Sequence, residues 1–162
     1  MANDYKELSK SAQLIQDELS KKGINFKVIE LSESTRTAID AANAISCSVG
    51  QIVKSLIFRT KKTNKPILVL ASGPNRVNEK SLELNIGEPI EKADANFTKE
   101  VTGFAIGGIP PIGHKQKIET FIDEDLLKFE ELWAAAGTPN AVFNLKPKDL
   151  ELLTQGKVIS IR

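Results

Sequence analysis

Leu8, Ala12, Ile15 and Leu19 recur every three to four residues beneath an otherwise polar surface, which predicts an amphipathic helix over residues 4–22 that Gly23 ends. The period then changes. Residues 24–29 alternate as a half-buried strand does, and Ser34 or Thr35 would cap a second helix carrying Ala38, Ala41 and Ala44 and stopping near Ser46. Residues 51–59 and 66–71 predict two strands joined by a lysine-rich connection, a hairpin with a basic tip. In the first of these strands Val53, Ser55, Ile57 and Arg59 share one face, while Ile52, Lys54, Leu56 and Phe58 share the other. Lys54 therefore lies on an otherwise apolar face. It either reaches solvent at a strand end or meets an anion in a cleft.

Residues 72–75 read as a turn, after which Asn78 caps a helix through Leu82 and Ile86 that Gly87 ends. Arg76 and Lys80 near the start of that helix do not complement its dipole, which makes them candidates for contact with an anion. A further short helix is predicted over 93–102 and a strand over 117–122. Asp123-Glu124-Asp125 then form an acidic turn expected to face solvent. Strands follow at 131–136 and 141–145 around a tight turn at 137–140, with small residues from Ala134 to Gly137 suited to the floor of a pocket. Pro147 opens a helix through Leu150 and Leu153, Gly156 closes it, and residues 158–161 form a last strand. Many short strands without regular strand–helix alternation argue for an α+β domain rather than a doubly wound parallel sheet. With 162 residues and no linker or repeat, a single domain over 1–162 is expected.

Composition narrows the chemistry. One cysteine, Cys47, and one histidine, His114, exclude an internal disulfide and cannot supply an ordinary zinc site, so neither metal nor cofactor is expected. A net charge of +1 excludes a strongly basic nucleic-acid clamp but leaves room for a local patch that holds one end of a nucleic acid. No apolar run has the length of a membrane span, and residues 1–7 carry charges of both signs without a secretory pattern, so the cytoplasm is the expected compartment.

Residues 103–114, Gly-Phe-Ala-Ile-Gly-Gly-Ile-Pro-Pro-Ile-Gly-His, hold four glycines and two adjacent prolines, which neither a helix nor a central strand tolerates. The stretch is a turn between apolar segments, or a stiff loop whose exposed amides suit a phosphate, a carboxylate or a carbonyl oxygen under attack. Its spacing fits neither the dinucleotide-binding fingerprint nor a P-loop.

Gln51-Ile52-Val53-Lys54-Ser55-Leu56, followed by Gly107-Gly108-Ile109-Pro110-Pro111-Ile112-Gly113, with Thr35-Arg36-Thr37 upstream and Ala135-Ala136-Gly137 downstream, resembles the YbaK and prolyl-tRNA synthetase editing-domain family over nearly the whole chain. The resemblance implies a mixed, mostly antiparallel, barrel-like sheet flanked by short helices, and hydrolysis of the ester of mischarged aminoacyl-tRNA, in trans for free-standing members. It maps the family lysine onto Lys54 and the glycine–proline loop onto Gly107, Gly108, Ile109, Pro110 and Pro111. Loop amides would donate to the ester oxygen as it gains charge, and Lys54 would hold the terminal phosphate or the reacting carbonyl. Thr35, Thr37 and Ser55 are expected to bind substrate with Pro110 and Pro111, as are Gly113, His114, Ala136 and Gly137. No Ser-His-Asp set can be assembled, so a bound water assisted by the vicinal ribose hydroxyl would attack the ester. A Cys47–His114 thiol pair is the competing arrangement. His114 also fits a simpler role as a hydrogen-bond partner of the loop.

One position departs from the family pattern. Pro110 stands where many relatives carry a small polar residue, which removes one amide and leaves those of Gly107, Gly108 and Ile109 as donors. The substrate expected is therefore only a small uncharged aminoacyl group, with tRNA-Pro as a candidate carrier. The acceptor end of aminoacyl-tRNA is the expected partner, with a synthetase or elongation factor for delivery; DNA and membranes are not. Lys61, Lys62, Lys65, Lys115 and Lys117 would face tRNA or merely confer solubility. A non-hydrolytic module that binds aminoacyl-tRNA or a synthetase is the alternative function.

Overall fold

Ile67 to Ala71 is a continuous apolar run, and a strand with that pattern must be covered on both faces. In the computed structural model, which describes residues 8–23 and 25–162, this run belongs to a strand over Pro66–Ser72 that is buried along its whole length. Alternation divides it between two cores. Leu68 and Leu70 enter a cluster with Ala12, Ile15, Leu19, Phe143 and Leu150, while Ile67, Val69 and Ala71 enter a second with Phe58, Leu82, Phe121 and Ile159. Fully burying a side chain of the Leu or Ile kind contributes on the order of 1.5–3 kcal/mol, so this strand anchors both sides of the molecule.

The elements in chain order are α1 (Lys10–Lys21), β1 (Val28–Glu30), α2 (Ala38–Ile45), β2 (Ile52–Thr60), β3 (Pro66–Ser72), α3 (Glu79–Ile86), β4 (Ile90–Lys92), α4 (Ala95–Thr102), β5 (Glu119–Asp123), β6 (Leu132–Ala135), β7 (Ala141–Leu145), α5 (Pro147–Thr154) and β8 (Lys157–Ile159). Short 3-10 turns lie at Val49–Gln51 and Glu124–Lys128. The strands form one mixed sheet in the order β1-β7-β6-β2-β3-β5-β8, with β4 beside β2. Of its seven pairings among the described residues, four are antiparallel and three parallel. The α+β class expected from the irregular spacing of strands and helices is the class observed.

The apolar stripe of α1 is buried at Ala12, Ile15 and Leu19 as expected; residues 4–7 of that expected helix, the leader reading of residues 1–7 and Ile24 lie outside the described residues. Asn78 caps α3 by accepting from the Ser81 amide, and Gly87 ends it at φ 91°. The cap of α2 differs from expectation. Its N-terminal acceptor is Thr37, bonded to the Asp40 amide at 3.1 Å, because Thr35 is committed elsewhere: its hydroxyl donates to the Pro139 carbonyl at 2.7 Å.

The acidic turn also departs from expectation. Asp123 and Asp125 are buried, at 1% and 9% exposure, because each has polar partners supplied by distant segments. Asp123 accepts from the amides of Ser72 (2.9 Å) and Asp125 (2.9 Å) and from the Asn75 side chain (2.8 Å), while Asp125 is paired with Lys128 at 2.8 Å and Arg162 at 3.2 Å. Hydrogen bonds from Lys128 and Asn75 hold the Asp125 carboxyl below the ordinary carboxylate range, despite the opposing effect of burial. A folded-state pKa depressed in this way contributes stability above the unfolded-state value, and that contribution is lost as pH falls through the folded value. The unfolding temperature is therefore expected to drop on acidification below about pH 4, and thermal scans of Asp125→Asn should show a flatter dependence over that range.

Pairing of β2 decides where a cleft opens. On the side away from β3, its first residues Ile52 and Val53 pair with β6, and its last three, Phe58 to Thr60, pair with β4. The sheet thus splits beside Lys54, Ser55 and Leu56.

Candidate active site

Lys54 stands at this split. Its ammonium donates to the main-chain carbonyl of Asn75 at 2.6 Å. The Asn75 side-chain amide in turn donates to Asp123 at 2.8 Å and to Asp125 at 2.7 Å, so both of its hydrogens are used. Partial burial pushes the Lys54 amine below the ordinary lysine range; the negative charge of Asp123 opposes this and the nearby Arg76 adds to it. The cleft alternative for this lysine is the one the structure favours, and its apolar strand face is what leaves it half-buried.

The glycine-rich loop begins where α4 ends at Gly103, which takes φ 87° and donates its amide to Lys99. Ala105 to Gly108 form a turn closed by the Gly108 amide on the Ala105 carbonyl at 3.1 Å, with Gly107 at φ 96°, the left-handed position that such a turn reserves for glycine. The Gly108 carbonyl accepts from the Gly137 amide at 2.9 Å, and a Cβ at Gly108 would lie within 2.8–3.0 Å of the Thr138 backbone. The loop is thus locked face to face with the β6–β7 hairpin. One expectation changes as a result: the Gly108 amide is consumed by the turn, and of the three proposed donors only those of Gly107 and Ile109 make no backbone hydrogen bond among the described residues.

Two cavities flank the split. The first, of about 260 Å³, is lined by Thr35, Arg36, Thr37, Lys54, Ser55, Gly107 and Ile109 together with an apolar wall of Ala38, Ala41, Ile52, Trp133 and Ala134. The second, of about 560 Å³, contains Asn75, Arg76, Glu79, Val77, Lys92 and Phe58. Lys54, Ser55, Leu56, Ile106 and Ile109 belong to both, so the two are halves of one cleft. The Ser55 hydroxyl oxygen is buried there without a hydrogen-bond partner among the described residues. An unsatisfied buried group of this kind costs roughly 1–3 kcal/mol until a partner arrives.

Other expected contact residues lie outside this cleft. Gly108, Pro110 and Pro111 are buried, and the Pro110 carbonyl is bonded to Nε2 of His114 at 2.7 Å, which is the loop-holding role read for this histidine. Pro111, Gly113 and His114 line a different depression with Lys115 and Lys117. Ala136 is fully buried and donates to Ala141, while Gly137 binds Gly108; it is Ala134 and Ala135 that reach the first cavity. None of these expected contact residues lines the cleft. The lysines expected to face tRNA are absent from both halves, and Lys65 is paired with Glu119 at 3.3 Å. Arg36, Arg76 and Lys92 add positive charge to the cleft beside Lys54. Arg36 and Arg76 sit in the stretches already singled out by their polarity, whereas Lys92 and Trp133 carried no local signal.

Cys47 is absent from the cleft lining, and burial, with Glu131 nearby, pushes its thiol above the ordinary cysteine range, away from a reactive thiolate. Among the described residues no three His, Cys, Asp or Glu side chains are grouped to hold a metal ion, and no helix is long and apolar enough to cross a membrane.

Residues 32–153 match the family model described as the aminoacyl-tRNA editing domain. The chain is 32% identical to protein YwhH of Bacillus subtilis, covering 81% of this chain and 83% of that one. It is 26% identical to the multifunctional Ser/Thr-tRNA deacylase ProXp-y of Escherichia coli, covering 89% and 88%. A solved structure described as a candidate trans-editing enzyme for prolyl tRNA synthetase superposes with a TM-score of 0.91 at 44% identity, covering 96% of this chain and 99% of that one.

Proposed function

Because the chain belongs to the aminoacyl-tRNA editing domain family, we propose that it is an aminoacyl-tRNA deacylase acting in trans, which hydrolyses the ester of mischarged tRNA without a protein nucleophile. The observation that carries the reading is that Lys54, Gly107 and Ile109 line one cavity. The first half of the cleft receives the aminoacyl group. At about 260 Å³ it falls below the range of roughly 300–1,000 Å³ common for ligand pockets, which favours a small uncharged side chain against the alanine, isoleucine and tryptophan wall. The second half receives the terminal adenosine, with Arg76 and Lys92 available to its phosphate. Ser55 gains in the substrate the hydrogen-bond partner that it lacks among the described residues.

In the reaction, a water oxygen bonds to the ester carbonyl carbon, and the carbonyl oxygen takes up negative charge. The amides of Gly107 and Ile109 and the Lys54 ammonium stabilise that charge. The vicinal ribose hydroxyl relays a proton from the attacking water to the departing ribose oxygen as the ester carbon–oxygen bond breaks. An aminoacyl ester is already activated, so positioning and charge stabilisation suffice.

Single-turnover incubation with a panel of mischarged tRNAs, tRNA-Pro species included, tests the reading. Release is expected for small uncharged aminoacyl groups, with Cys47→Ala within about twofold of the parent rate, since a substitution outside the cleft removes no charge-stabilising group. Tight binding without release across the panel would instead identify a non-hydrolytic recognition module.

A further inference from the structure

We propose that Asp123 is a positioning residue for Lys54, acting through Asn75. The proposal rests on the deacylase reading above and concerns what holds its ammonium in place. A lysine side chain has four rotatable bonds and a single point charge, so its position is set by whatever its ammonium is bonded to. Here that acceptor is not a carboxylate but the Asn75 carbonyl, at 2.6 Å. A main-chain carbonyl in a loop is only as fixed as the loop, and this one is fixed from beneath. The Asn75 side chain is pinned by Asp123 at 2.8 Å and Asp125 at 2.7 Å, and the Asn75 main-chain amide donates to the Ser72 carbonyl at 2.9 Å. Asp123 also binds the Ser72 amide at 2.9 Å, so one carboxylate on β5 clamps both ends of the Ser72–Asn75 turn.

The arrangement gives Lys54 a neutral contact and a buried negative charge one link away. A direct carboxylate partner would neutralise the ammonium and compete with the substrate's developing charge. Asp123 instead supports the charged form across Asn75 while leaving the ammonium able to turn toward the cavity. The other charged groups facing the cleft are Arg36 before α2, Arg76 and Glu79 at the start of α3, and Lys92 on β4. All four are retained in the variants below, so a shift in Lys54 titration reports on the clamp.

The test compares the full-length parent with Asp123→Asn by thermal unfolding, by kcat and KM against pH with uncatalysed ester hydrolysis subtracted, and by NMR titration of the Lys54 side chain. Removing the negative charge is expected to move the Lys54 titration and the alkaline limb of kcat together toward lower pH, and to lower kcat roughly tenfold with KM within about twofold. A purely structural role would lower the unfolding temperature and leave both titrations where they were, and that result overturns the proposal. Should Asp123→Asn fail to fold, Asn75→Ala decides on kcat alone, since it removes the link and keeps the carboxylate: a roughly tenfold lower kcat with KM within about twofold supports the clamp, and parental kcat overturns it. Full activity in Lys54→Ala would sink the catalytic reading, whereas an unmoved Lys54 titration in folded Asp123→Asn would sink only the positioning role.

Discussion

Lys54→Ala is expected to lower single-turnover deacylation by about 10²–10³-fold, the loss typical of removing one group that stabilises charge in the transition state. The same substitution should leave the unfolding temperature close to that of the parent. Burial holds the Lys54 pKa below the ordinary range, which means that folding disfavours the charged form; below that pKa the ammonium costs stability, and deleting it relieves the cost. Lost packing of the aliphatic stem offsets part of the gain. Activity and stability should therefore separate at this residue, and a deacylation assay beside a thermal scan shows whether they do. In the parent, the alkaline limb of kcat should fall below the ordinary lysine range, because the working form is the protonated one. Unchanged deacylation in a folded Lys54→Ala protein would remove the centre of the proposed mechanism.

What the sequence disclosed and what it concealed divide along the range of the interactions. The period-two pattern of residues 52–58 assigned strand faces correctly because alternation is a local property, but for Lys54 it left solvent and cleft as alternatives, and only the split of the sheet between β6 and β4 decides for the cleft. Helix ends at Asn78 and Gly87 were legible for the same reason. The cap of α2 was not, since Ser34, Thr35 and Thr37 offer similar hydroxyls and only the distant Pro139 carbonyl removes Thr35 from the choice. Asp123 and Asp125 read as solvent-facing because their partner Asn75 lies 48 and 50 residues away in sequence. β4 spans only three residues, too few for a periodic signal. In the loop, sequence identified the glycines and prolines but not which amide was free: the turn on Ala105 consumes the Gly108 amide, and burial takes Pro110 and Pro111 out of the lining.

Gly108→Ala is expected to reduce deacylation by about 10²-fold or more, through a contact and not through backbone strain, since a misplacement of about 1 Å in a reacting group suffices for such a loss. The added methyl would meet the carbonyl carbon, Cα and nitrogen of Thr138 at 2.8–3.0 Å, and these backbone atoms cannot swing aside as a side-chain tip would. Thr138 is held by the Asn140 amide on its hydroxyl, and the adjacent Pro139 carbonyl is bound by Thr35, so the hairpin resists displacement. The glycine-rich loop must yield instead, carrying the Gly107 and Ile109 amides away from Lys54. Overpacking of this kind also costs about 1–3 kcal/mol of stability, so a control must lose stability without touching the cleft. Gly87→Ala serves: its φ of 91° strains any other residue, yet a Cβ there meets nothing within 4 Å, and Gly87 lines neither half of the cleft. Measured well below both unfolding transitions, Gly87→Ala should keep parental kcat while Gly108→Ala loses it. Parental kcat in Gly108→Ala would mean that the loop amides can be displaced without consequence, and the oxyanion role assigned to them would fall.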